Sequence, residues 1–147
     1  MSEAQNTKRI MGDQKVAIVI DQLNRHLIYS RELGGTARKV LDMLKTDGTN
    51  DAELKGKASN AIAGQEEGDS TIAKSAAGMA RLMFEDMPAK GQIAAYSKLM
   101  KGMNALASSL EPTSRKVVQQ AMEFTLAEIK DKTVMEKVKA FMESEKI

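Results

Sequence analysis

The 147-residue chain contains no cysteine and no tryptophan. Without thiols it has no disulfide, no thiolate metal site and no cysteine nucleophile. Aromatics are scarce as well, with three Phe and two Tyr against eleven Met. Long apolar runs are missing: the longest, Val16 to Ile20, spans five residues, far short of the roughly 20 that cross a bilayer. No secretory h-region appears between Met1 and Asp13, and neither end carries a lipidation motif. These absences lead us to expect a cytoplasmic protein that does not engage membranes.

Charge of one sign is also lacking. The 22 basic and 20 acidic residues leave a net charge of +2. Residues 1–50 hold eight basic and six acidic side chains, 51–111 seven and eight, and 112–147 seven and six. A surface built to coat nucleic acid concentrates its Lys and Arg, because affinity follows the number of phosphates neutralised. No segment does so here.

What is present is helical periodicity. Val16, Ile20, Leu23 and Leu27 are spaced 4-3-4, which places them on one face of a helix over about 14–33. The β-branched stretch Lys15 to Ile20 also admits a buried strand, but the continuing pattern favours helix. Gly34-Gly35 reads as its C-terminal stop. A second helix follows Thr36, with Ala37, Val40, Leu41 and Leu44 apolar, and ends at Asp47-Gly48. Thr49 or Asn50 then caps a weaker helix carrying Leu54, Ala58, Ala61 and Ile62, and Gly64 to Asp69 reads as a loop. Asp69 or Ser70 caps a fourth helix running to Met87, just before Pro88. The next, about 89–110, carries Ile93, Tyr96, Met100, Met103, Ala107 and Leu110 at 3-4-3-4-3 spacing. Pro112 suits the first turn of another, and a last helix starts near Thr133. The expectation is an all-α bundle of six or seven helices: a flexible N-terminus (1–13), then one helical domain (14–147). It divides, if anywhere, near 64–69, into an N-terminal lobe and a C-terminal four-helix unit.

Candidate sites divide by chemistry. His26 is the single histidine, and no nucleophile motif accompanies it, so a surface or boundary position is expected rather than catalysis. Glu66, Glu67 and Asp69 cluster in the glycine-containing stretch 64–69 but lack the alternating oxygen ligands of a calcium loop. Glu128 and Asp131 have the spacing of one half of a paired-acid Mg²⁺ site, as in all-α nucleotide hydrolases, and no second pair answers them. No Walker, Rossmann, nucleophile-elbow or zinc pattern occurs. We therefore expect neither enzymatic activity, nor a cofactor, nor a metal.

Methionine is the remaining signal. Flexible thioethers fill gaps in a core poor in aromatics, and they also adapt to varied partner surfaces. The expected interaction face is Met79, Met83 and Met87 with Ile93, Tyr96, Met100 and Met103, joining a protein partner or a second copy of the chain. The alternative is a helix-turn-helix regulator over 36–84, with Arg38, Lys39, Lys55, Lys57, Lys74 and Arg81 contacting nucleic acid.

Overall fold

The computed structural model describes residues 12–46 and 51–147. Among these, five α-helices and no strand occur. They are α1 (Gly12–Thr46), α2 (Ala52–Phe84), α3 (Ala89–Ser108), α4 (Pro112–Glu128) and α5 (Lys132–Ser144). The expected all-α bundle is present, with fewer and longer helices. The expectation of a flexible 1–13 falls largely on residues 1–11, outside the described residues, while Gly12 and Asp13 open α1.

Two expected breaks are missing. The stop at Gly34-Gly35 and the loop at Gly64–Asp69 both lie inside uninterrupted helices, which turns seven segments into five. A glycine inside a helix costs about 1 kcal/mol relative to alanine, so packing must offset it. At Gly34 the offset is visible. A Cβ there would lie 1.8 Å from Gln65 Oε1, so only glycine lets the Gln65 side chain lie flat on α1. Gln65 is buried in that position and accepts a hydrogen bond from Arg38 Nη1 at 3.2 Å. Asp69 does not cap a helix either. It sits mid-helix, where its Oδ1 accepts from Ser30 Oγ at 2.6 Å.

The remaining boundaries follow local chemistry. Asp51 caps α2 by accepting from Leu54 N at 3.0 Å. Gln92 Nε2 donates to the carbonyls of Glu85 and Met87, closing the α2–α3 turn. Pro112 occupies the first turn of α4, and Arg115 donates to the carbonyls of Ala107 and Leu110 at the end of α3. Asp131 caps α5 through Thr133 N and Val134 N.

In the bundle α1 packs on α2 and α3, α4 packs on α2 and α3, and α5 lies against α3. Helices α1 and α3 run parallel: Asp13 pairs with Lys98, and the tip of Ile20 lies where a Cβ on Gly102 would be. Val19, Leu23, Phe84, Leu99, Met100 and Met103 are fully buried between the layers. Phe84 meets Tyr96 edge to face, with ring centroids 5.0 Å apart at 89°. Arg31 Nε lies 3.6 Å from Glu111 Oε1, so the α3–α4 connection is level with Arg31. Beyond that level α1 and α2 continue as a two-helix arm. The connected apolar core draws on α1 only as far as Leu27 and on α2 only from Ile72 onward.

Candidate interaction surface

The interaction face expected from the sequence is largely interior. Tyr96 is 2% exposed, and Met100 and Met103 are fully buried. Met79, Met83, Met87 and Ile93 are partly buried against the same core. The regular spacing of α3 arises because that helix packs on α1, α4 and α5, and packing on several sides needs a wide apolar surface. Desolvation pushes the Tyr96 phenol up to about 12, with Arg81 opposing and Glu128 and Glu85 adding to the rise.

The helix-turn-helix arrangement is not formed. Residues 52–84 are one helix, so the turn that would present Ser70–Phe84 as a reading helix is absent. Arg38, Lys39, Lys55 and Lys57 are exposed on the arm. Lys74 instead lies over the Phe124 ring at 5.8 Å, and Arg81 Nε pairs with Glu128 Oε2 at 3.3 Å. The basic residues are thus spread along the arm and onto α4 rather than gathered.

Exposed apolar side chains lie elsewhere. On α1, Tyr29 (65% exposed), Leu33 and Met43 (63% exposed) stand out from the surface. With Thr36 and half-buried Val40 they form a seam, 29-33-36-40-43, at the 4-3-4-3 spacing of a coiled-coil face. On α2 a second seam runs beside it through Gly64, Gly68, Thr71, Ser75, Gly78 and Leu82, all exposed or half-buried. Space is open where a Cβ would stand on Gly64, Gly68 and Gly78. Beside the α2 seam is an open depression of about 410 Å³, lined by His26, Gly64, Glu67, Gly68, Thr71 and Ile72. Tyr29 stands one helical turn from His26 on the same side of α1.

Next to this depression His26, which lines it, lies with Ser30 and Asp69. A nucleophilic triad needs histidine between serine and carboxylate, so that it can take the hydroxyl proton. Here Asp69 stands in the middle. Ser30 Oγ donates to Asp69 Oδ1, and His26 Nε2 lies 3.6 Å from the same oxygen without a hydrogen bond. Ser30 is itself buried. This cluster ties α1 to α2. Glu128 is taken up by Arg81 and Asp131 by its cap, and no group of three or more metal-ligating side chains occurs among the described residues. No described helix is long and apolar enough to cross a membrane.

Sequence reasoning missed Tyr29, Leu33, Met43 and Leu82, although the signal was present. Both seams are legible as heptad spacings once the helices are continuous. Reading Gly34-Gly35 as a stop and 64–69 as a loop cut each in two.

Comparison with protein-family models, curated proteins and solved structures finds no match to this chain. The surface is therefore interpreted from its own geometry.

Proposed function

We propose that this is a non-catalytic interaction protein that acts through the outward face of the α1–α2 hairpin. The observation that carries this reading is the exposed seam of Tyr29, Leu33 and Met43 on α1. Single exposed apolar residues are ordinary, whereas a row of them at coiled-coil spacing is the mark of a helix awaiting a partner. Burial of Tyr and Leu surface would supply the association energy, and the Lys, Arg and Glu side chains beside it would set register. A non-catalytic role is supported by the order of Ser30, Asp69 and His26, which puts no histidine at the hydroxyl.

The test is affinity capture with the whole chain and with a Leu33→Ser, Tyr29→Ser variant, each with and without nuclease. The reading expects protein partners that survive nuclease on the native chain and are lost on the variant. Retention of the same partners by a folded variant overturns it. Loss on nuclease treatment would also overturn it, in favour of nucleic acid.

A further inference from the structure

We infer that the occupant of this face is a second copy of the same chain, docked about a two-fold axis parallel to α1 and α2. The inference rests on the reading above and adds the partner and the symmetry. Three features argue for it together.

The first is shape. The face carries both a projection and a recess, with Tyr29 and Leu33 standing out of α1 and the depression at Gly64, Gly68 and Thr71 lying on α2. Ser30 pairs with Asp69, and Gly34 packs on Gln65, so Tyr29 is level with residues 68–71 of α2. A two-fold axis along the helices preserves level while exchanging α1 for α2. It therefore sets Tyr29 of each copy over the Gly68–Thr71 recess of the other. An isologous interface must be self-complementary in this way.

The second is charge. On the α1 arm beyond Arg31, which Glu111 already pairs on the bundle side, three basic side chains (Arg38, Lys39, Lys45) outnumber two acidic ones (Glu32, Asp42). On the α2 arm, residues 51–68, four acidic side chains (Asp51, Glu53, Glu66, Glu67) outnumber two basic ones (Lys55, Lys57). The proposed axis lays the positive arm of one copy on the negative arm of the other. An axis perpendicular to the helices would stack α1 on α1 and α2 on α2, like sign on like.

The third is area. The α1–α2 face is about 50 Å long and about 20 Å across, at 1.5 Å per residue and ~10 Å per helix. That accommodates the ~800 Å² per partner that a stable complex buries. Along the bundle the opposite side of the α1–α2 layer is occupied by α3 and α4, so two copies meet back to back without interference between their bundles.

The experiment is sedimentation equilibrium of the whole chain up to about 100 µM, a range that detects all but weak association. We expect a dimer, with dissociation constants raised about tenfold or more by Leu33→Lys and by Gly68→Lys. Both sites are solvent-facing, and an unchanged helical circular-dichroism spectrum confirms that the variants fold. Because the chain has no native cysteine, thiols test the axis directly. Chains carrying Tyr29→Cys are mixed in equal amounts with chains carrying Gly68→Cys, and the mixed disulfide should exceed the two homodisulfides together. A monomer throughout the range, a dimer indifferent to both Lys substitutions, or a dominant 29–29 disulfide would each overturn the proposal. A monomer in sedimentation with partners still lost on the Leu33→Ser, Tyr29→Ser variant would remove self-association and leave the interaction reading intact.

Discussion

The two ends of the molecule are built from the same two helices but held together differently. In the bundle, α1 and α2 meet α3 and α4, and the buried residues are large: Val19, Leu23, Phe84, Tyr96, Leu99 and Met100. In the arm, the buried residues are Gly34, Ala37, Ala58 and Gln65. Small residues bring two helices close but remove little apolar area from water. Larger apolar side chains are present on the arm, and Leu33, Met43 and Leu54 are left exposed, because two helices cannot enclose a core. The bundle buries its apolar surface within one chain, and the arm holds part of its own in reserve.

The comparison can be broken most directly by truncating leucines. Leu99→Ala, at a fully buried site, should lower unfolding stability by about 3 kcal/mol, while Leu33→Ala should cost monomer stability under about 1 kcal/mol. Urea midpoints of the two variants decide it, and equal losses would mean that the arm has a core of its own. Raising the pH tests the bundle through Tyr96. The folded state raises the Tyr96 phenol to about 12 from an ordinary 10.0, so folding favours its neutral form. That contribution is complete below pH 10 and is lost as the pH climbs toward 12, by about 2 kcal/mol. The decline should be shallower in Tyr96→Phe across the same range.

Paired glycines sharpen the picture of the arm. Gly35 has open space around its Cβ position, and Gly34 has Gln65 there. Gly35→Ala should stabilise by up to about 1 kcal/mol through helix propensity. Gly34→Ala should fall short of it by about 1 kcal/mol or more, because Gln65 must leave its site and its Arg38 bond. Thermal melting of the two variants measures the gap. The smallest effect belongs at the junction. Glu111→Gln breaks the pair with Arg31, whose side chains are about half exposed, and should change stability by no more than about 0.5 kcal/mol.

Periodicity made the bundle legible. The 4-3-4 run through Val16, Ile20, Leu23 and Leu27 and the 3-4-3-4-3 run of α3 both mark buried faces. It did not show how many sides of α3 are covered, so Tyr96, Met100 and Met103 read equally well as an exposed interface. Helix ends were legible where a local signal was sufficient, as at Pro112. They were not at Gly34-Gly35 or Gly64–Asp69, where the deciding contact lies 30 or more positions away in sequence.

The sequence by itself therefore determined the helical class, the missing thiol chemistry and the apolar residues of each helix, because these depend on composition and on a period of 3.6 residues. The tertiary structure decided that two glycine-rich stretches remain helical, that the methionine-rich face of α3 turns inward, and that Tyr29 and Leu33 stay outside. The physical reason is common to all three. Whether a glycine ends a helix, or an apolar stripe is buried, depends on what the rest of the chain places against it. Gln65 fills the surface of Gly34, helices on several sides cover α3, and no second layer among the described residues covers the outer side of α1 and α2.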